Sequence, residues 1–487
     1  MTFTRIDVEH GGRLRAVLQV EGEARWPDGA RLNVRLRLTV QAGTPVVGME
    51  LGLHNPRKAE HPGGFWELGD AGSVYLDAAA LVLAAPAAPT DVRLATAPET
   101  AASMATPLTL TQHASGGANW QSRVHVDKHG VVPMQTAGFV IESAGRREEG
   151  GRALPTLTLA HADGACTIVA PRFWQVFPKG LAATSDGVVT VWSLPPGTGP
   201  HELQGGERCD FACACVLAPW TDALIWSAAP STALPDIEAV AAAERMPALE
   251  AARPAVNDGY ERLVDAAVDG EETFLAKRER IDEYGWRHFG DLYADHENGT
   301  TGLSRISHYN NQYDAIAGLT LQALRRDDHR WWAIALDLAR HVTRTDIYWT
   351  SEDRAAYNGG LFWHTAHYTD AGTSTHRTYP SKAGLPGGGP SNEHCYSHGL
   401  LLHHYLTGDA VSREAVIGLA DWVIAMDDGR RARWPIPWLT TAPTGAASST
   451  AAEDYHGPGR APATRFWRCS TRTASLAKPA ISTTPRG

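Results

Sequence analysis

Basic excess, long apolar runs and cysteine are the scarce features of this chain, and each shortage removes a class of function. Lys and Arg total 44 against 54 Asp and Glu, giving a net charge of −10 and a pI near 6.1. No basic stripe is therefore available to neutralise nucleic-acid phosphates. No apolar run reaches the length that spans a bilayer. The opening M-T-F-T-R-I-D-V-E-H alternates polar and apolar residues where a leader would be apolar, so a cytoplasmic location is expected. Cysteines number six, and the C-x3-C-x-C spacing of Cys209, Cys213 and Cys215 fits neither usual zinc pairing. Their context F-A-C-A-C-V-L-A reads as a buried strand. With 43% hydrophobic and 20% charged residues in 487, the composition is that of an ordinary globular protein of two or three domains.

The residues that are present change character along the chain. Residues 1–230 carry period-2 segments at 13–20, 31–40, 46–53, 156–159 and 188–192, set between turn signals such as W-P-D-G and A-D-G. An Ala/Pro-rich stretch at 84–106 interrupts them as a seam. An Ala/Glu-rich helical linker is expected at 234–251. From about residue 258 the period becomes 3.6, with helices expected at 313–325, 330–344, 393–406 and 412–426. Two of the helix pairs resemble each other, L-R-R-D-D-H-R-W-W and L-T-G-D-A-V-S-R-E each ending a short turn in Asp. Repeated αα-hairpins cannot bury their stripes alone and must stack, in a solenoid, a closed ring or a bundle.

Twelve of the 21 histidines fall between His288 and His404. Six of them sit in four polar-aromatic runs: D-E-Y-G-W-R-H-F-G-D at 282–291, S-H-Y-N-N-Q-Y-D at 307–314, F-W-H-T-A-H-Y-T-D at 362–370 and S-N-E-H-C-Y-S-H at 391–398. Aromatic faces beside groups that donate, accept and shuttle protons suit a sugar-binding cleft. Asn310, Asn311 and Asn392 stand where they could cap helices or touch substrate. His394 and His398, four apart, would share a helix face as a metal pair or as two groups of one cleft wall. His403 and His404 read as packing residues.

These runs, with H-N-P-R-K-A-E-H-P-G-G-F-W-E-L-G-D at 54–70, S-G-G-A-N-W-Q-S-R-V-H-V at 115–126, F-W-Q-V-F-P-K at 173–179 and E-L-Q-G-G-E at 202–207, resemble the rhamnogalacturonan exolyase and YetA-like family of polysaccharide lyases over about residues 10–460. The resemblance implies a multidomain β + α protein: an N-terminal β-barrel remnant at 1–95, a central β-sandwich at 96–230, a linker at 231–257 and a C-terminal, incomplete (α/α) toroid at 258–463. It implies β-elimination on a uronate-containing pectin backbone, rhamnogalacturonan I, in exo fashion, with an oligo- or polysaccharide as partner and neither nucleic acid nor membrane. Such elimination needs a base for the C5 proton, an acid for the leaving oxygen and a donor that stabilises the enolate at the carboxylate.

For the base the expectation is His394 or His364, and for the acid Tyr309 or Tyr396, with His308 beside them in the catalytic set. Arg377 is the expected carboxylate clamp. Trp363 is the sugar platform, and Asn310, His367, Tyr368, Asn392, Glu393 and His398 complete the substrate-binding set. Tyr284, Trp286, Arg287 and Asp291 match the family, as substrate groups or as inter-helix bonds. No cofactor is called for, and a divalent cation is compatible with this chemistry. A glycoside hydrolase using Asp291, Asp295, Asp370 or Glu393 is the enzymatic alternative, and a silent sugar-binding protein the non-enzymatic one.

Residues 464–487 hold eight Ser or Thr and four Arg with no helical stripe, and no acid comes after Asp454. A shifted reading frame of this stretch can spell R-L-T-G-E-A, an echo of Y-L-T-G-D-A at 405–410. An out-of-frame tail, a truncated and inactive toroid, and an N-terminal domain entered part-way are therefore expected.

Overall fold

In a computed structural model, described over residues 1–62, 66–85, 87–98, 100–221, 224–228, 232–242, 249–252, 258–293, 308–354, 357–362, 389–390 and 395–427, the protein is mixed β and α, with sheet predominating. The chain divides into two units. The first is Met1–Thr232, Leu263–His308 and Thr365–Gly388; the second is Ala233–Arg262, Tyr309–His364 and Gly389–Gly487.

The first unit is built on antiparallel strands. One sheet contains β1 (Thr2–Gly11), β2 (Arg15–Arg25), β3 (Arg31–Gln41), β4 (Val46–His54), β7 (Asp91–Ala95), β8 (Ala102–Ser103), β12 (Thr156–His161), β13 (Gly164–Val169) and β17 (Arg208–Val216). Its order is β1-β2-β3-β4-β17-β13-β12-β7-β8. The second comprises β6 (Ala79–Ala84), β9 (Leu108–Gln112), β10 (Phe139–Ser143), β11 (Arg146–Gly150), β14 (Lys179–Ala183) and β15 (Val188–Leu194), ordered β11-β10-β9-β14-β15-β6. A short pair, β5 (Val74–Leu76) with β16 (His201–Leu203), stands apart.

Alternate residues of both sheets face each other. Leu157, Leu159 and Ile168 from one and Leu108, Leu110 and Leu181 from the other form a single apolar core, the layer arrangement of a sandwich. The alternation that marks 31–40, 46–53 and 156–159 in the sequence is this one-sided burial. Cys209 and Cys213 are buried in β17 as hydrophobes.

Residues 1–95, where a barrel remnant is expected from sequence, supply β1–β4 and β7 to the nine-stranded sheet, which is open with β1 and β8 at its edges. Residue 95 lies between hydrogen-bonded neighbours, β7 and β8. Ladders from β4 to β17 and from β7 to β12 join strands on either side of residue 95 into one sheet.

Helix α4 (Phe274–Ile281) also belongs to this unit. Thr273 caps its start, accepting from the Ala276 amide at 3.0 Å. Asp282 ends it in the left-handed region, φ 55. Arg152 holds the helix end, placing its guanidinium 3.9 Å over Trp174 and bonding both oxygens of Glu279 at 3.0 and 2.7 Å. Beyond it Gly285, at φ +86, donates to the Gln175 carbonyl at 2.8 Å, and the Trp286 amide donates to Phe177 at 2.9 Å. The positive φ is what lets the backbone lie this close.

In the second unit, α5 (Ala315–Arg326), α6 (His329–His341), α7 (His398–Thr407) and α8 (Ala410–Asp427) pack through buried Ile316, Leu319, Trp331, Leu338, Leu400 and Leu419. The repeated turns share one physical device. Asp327 (φ 51) ends α5 and Asp328 accepts from Arg330 N at 2.9 Å; Gly408 (φ 71) ends α7 and Asp409 accepts from Ser412 N at 2.6 Å. Of the helix expected at 234–251, α2 (Ile237–Ala242) is seen among the described residues. The helix expected from 393 begins instead at His398, residues 395–397 being non-helical. His398 opens α7, and His394, its expected i, i+4 partner, lies outside the described residues.

Candidate functional site

The run 282–291 supplies the centre of a site in the first unit. Asp282 is fully buried at the end of α4, where its Oδ2 meets His125 Nε2 at 2.7 Å and its Oδ1 accepts from Ser115 Oγ at 2.5 Å. A carboxylate on one ring nitrogen orients the imidazole and, in the neutral ring, favours the tautomer with its proton on that nitrogen. The His125 ring sits edge-on to Phe177 at 5.2 Å and to His288 at 5.8 Å. His288 in turn stacks on His308, ring centres 5.7 Å apart.

At the far end of this series of rings, His308 Nδ1 lies 3.1 Å from Asp291 Oδ2 and 3.6 Å from Glu283 Oε1. The second contact has ion-pair length and is too long for a hydrogen bond. A bridge between Tyr293 and His308 brings His308 back beside Asp291. Burial opposes charge on His308, but the Asp291 hydrogen bond and the charges of Asp291 and Glu283 outweigh it and push its pKa up to about 9. Burial raises the pKa of Glu283 and the neighbouring Asp291 charge adds to it, against the opposing pull of His308. Neither Glu283 oxygen receives a hydrogen bond, and the residue is fully buried.

His125 and His288 line a cavity of about 300 Å3, at the small end of the roughly 300–1,000 Å3 typical of small-molecule sites. His113, His129 and His201 line it too, with Tyr75, Lys128, Glu202 and Trp286. Burial, then the Arg287 charge, pulls His201 down to about 4, and its Nε2 lies 3.0 Å from Thr198 Oγ1. Burial, then the Arg147 charge, lowers His113 as well. Both imidazoles are neutral. Burial and the Glu202 charge push the Tyr75 phenol up to about 12, so it keeps its proton. The Lys128 ammonium lies 4.5 Å over the Tyr75 ring. Arg287 is committed to the wall, bonding Glu207 at 3.1 and 3.3 Å and the Glu202 carbonyl.

The cavity can therefore offer an oriented imidazole, a protonated phenol, an ammonium and an indole face. Of the residues expected from sequence, His308 stands at its back, as does Asp291. Trp286 and Arg287 line it, and Tyr284 donates to Glu279 at 2.7 Å as a structural bond.

Other expected residues meet in the second unit, at the starts of α5 and α7. Asn310, Asn311, Tyr313 and Asp314 have φ of 50, 60, 58 and 58. Asn311 Oδ1 accepts from the Ile316 amide at 3.0 Å and Nδ2 donates to the Tyr396 carbonyl at 3.2 Å; its work is to tie the two helix starts. Asp314 accepts from the Gly399 amide at 3.1 and 3.2 Å. The Tyr313 and Tyr396 rings are 6.3 Å apart. Burial, with Tyr313 and Tyr396 close by, pushes Tyr309 up to about 12. His403 packs on Trp332 at 6.2 Å and bonds Ser412 Oγ at 2.8 Å, a packing role. Trp363, His364, His367, Tyr368, Arg377, Asn392, Glu393 and His394 lie outside the described residues, as do Asp295 and Asp370.

No family model matches this chain, and no curated protein matches it. Among solved structures it is similar to the galactosidase domain of alpha-galactosidase-sucrose kinase, AgaSK. Identity is 10% and the TM-score 0.26, over 44% of this chain and 27% of that one. The chain thus spans little more than a quarter of that structure, and the likeness carries no functional argument. No helix among the described residues is long and apolar enough to cross a membrane.

Ser115, His125, Asp282, Glu283 and His288 lie inside runs noted in the sequence but are not picked out there as site residues, and His201 lies outside those runs. One signal for three of them is present. Asp282, Glu283, His288 and Asp291 fall within ten residues that also contain two glycines, a density of ionisable groups that a solvated helix face does not require.

Proposed function

We propose that this protein is a polysaccharide lyase of the rhamnogalacturonan exolyase type, cleaving a uronate-containing pectin backbone, rhamnogalacturonan I, by β-elimination. In this reading its strands comprise the remnant of a β-barrel and a β-sandwich, and its helices belong to an (α/α) toroid. The family-like runs support the substrate class. The observation that carries the chemistry is the His125–Asp282 pair opening on a cavity that also holds Lys128 and Tyr75.

In that cavity His125 Nδ1 takes the C5 proton, while Asp282 keeps Nε2 protonated and steadies the imidazolium that forms. Lys128 neutralises the uronate carboxylate as negative charge builds on it. The C4–O bond breaks, the C4–C5 double bond forms, and the Tyr75 phenol gives its proton to the departing oxygen. Trp286 supplies an apolar face for the sugar ring. The base assignments to His364 and His394, and the acid assignments to Tyr309 and Tyr396, are the competing ones.

Incubation with rhamnogalacturonan I and measurement of the ultraviolet absorbance of a 4,5-unsaturated uronate tests the function. Absorbance should appear with wild type. Saturated reducing ends would mean hydrolysis, and binding without product would mean a silent sugar-binding protein; either outcome overturns the lyase reading.

A further inference from the structure

We propose that Glu283, Asp291 and His308 bind one divalent transition ion, Zn2+ or Mn2+, immediately behind the cavity wall. The inference stands independently of the lyase reading. One ligand atom from each residue lies within 4.8 Å of the others, and all three residues are at most 2% exposed.

Three observations converge on this site. Ligand bonds of about 2.0–2.2 Å in a tetrahedral arrangement set donor atoms roughly 3.3–3.6 Å apart; His308 Nδ1 stands 3.6 Å from Glu283, within that range, and 3.1 Å from Asp291, a hydrogen bond that an ion between them would replace at slightly greater separation. The Glu283 carboxylate is fully buried, faces this space and receives no hydrogen bond at either oxygen. An unbonded buried carboxylate is costly, and direct coordination is one of the few ways to satisfy it. The charge also closes: two carboxylates and a neutral imidazole balance a dication, whereas a proton on His308 leaves the triad at −1. Mixed imidazole and carboxylate donors favour Zn2+ or Mn2+ over Ca2+ and Mg2+, which take oxygen alone.

His288 separates this centre from the cavity, stacking on His308 at 5.7 Å while lining the cavity itself. The ion therefore does not touch substrate. It fixes the His308 ring, against which His288 packs, and so acts as a positioning centre.

The full-length protein, stripped with chelator and dialysed, is titrated with ZnCl2, MnCl2, CaCl2 or MgCl2 while metal content and thermal unfolding are followed. Zn2+ or Mn2+ should bind at roughly one equivalent per chain and raise Tm, as a ligand of the folded state alone must. Glu283→Gln should lose at least tenfold in affinity and show no metal-dependent Tm shift. Because that variant could misfold, Co2+ is added to stripped wild type, where d–d absorption of a low-coordinate N/O site should appear. A Tm indifferent to every ion and to chelator would overturn the proposal, since the space would then hold only a shared proton. Recovery by Ca2+ or Mg2+ alone, or an unchanged response in a folded Glu283→Gln, would overturn it equally.

Discussion

In the first unit the ionisable groups bond across the sequence: His125 and Ser115 meet Asp282 from 157 and 167 residues away, and the rings they begin lead along a cavity wall. In the second unit the same residue types serve helix starts. Asn311 bonds an amide five residues on, and Asp314 accepts from the first turn of α7. A polar run is thus ambiguous until its partners are known. Where the partner is another side chain beside a cavity, the group keeps a reactive face; where it is a backbone amide, the group is consumed by the fold.

The sharpest way to break this contrast is catalytic. His125→Ala should lower the rate of unsaturated-uronate formation by about 10²–10⁴-fold, the usual worth of a positioned base, with the protein still folded by near-ultraviolet circular dichroism. If His364→Ala or His394→Ala shows that loss and His125→Ala does not, the reactive face belongs to the helical half. Asp282→Asn should cost about 3–5 kcal/mol in denaturant unfolding, because it strips the charge from a buried pair. A change below about 1 kcal/mol, the scale of an ordinary hydrogen bond, would mean that the His125 contact is dispensable to the fold.

Acid should act next in size. The His201 pKa near 4 lies below its ordinary 6.5, so the unfolded chain takes the proton first. The stability this group contributes is whole above pH 6.5 and is lost progressively as pH falls towards 4, by at most about 3 kcal/mol. Wild type should therefore lose more stability over that window than His201→Gln; parallel pH profiles would refute the assignment.

In the second unit, Asn311→Ala should cost about 1–2 kcal/mol by freeing the Ile316 amide and the Tyr396 carbonyl, without changing the cavity's chemistry. The smallest expected effect has the opposite sign. Tyr313 is exposed at φ 58, a region that asparagine tolerates better than tyrosine, so Tyr313→Asn should raise stability by about 0.5–1 kcal/mol. A loss of activity in that variant would instead mark the Tyr313–Tyr396 contact as functional.

The strands at 31–41 and 46–54 are legible because one-sided burial imprints a period of two on the sequence. So are α5, α6 and α8, whose apolar stripes repeat at 3.6. The cysteine-bearing strand is legible from its composition. The start of α7 is not: S-N-E-H before it has the look of a cap, yet helix begins at His398, where the carboxylate of Asp314 reaches the Gly399 amide from 85 residues away. The partner is distant and invisible to local pattern.

Sequence alone marked strands such as 31–41 and 46–54 and helices such as α5, α6 and α8, because periodicity is a local response to burial on one side. It also determined the net charge of −10, which needs no structure to be counted. Tertiary structure decided which imidazoles meet buried carboxylates. His125 gains its orientation from Asp282, and His308 its two carboxylates, through contacts created by sheet packing and the path of residues 282–293 over it. Proton affinity depends on the groups within a few ångströms, and no spacing along the chain encodes that distance.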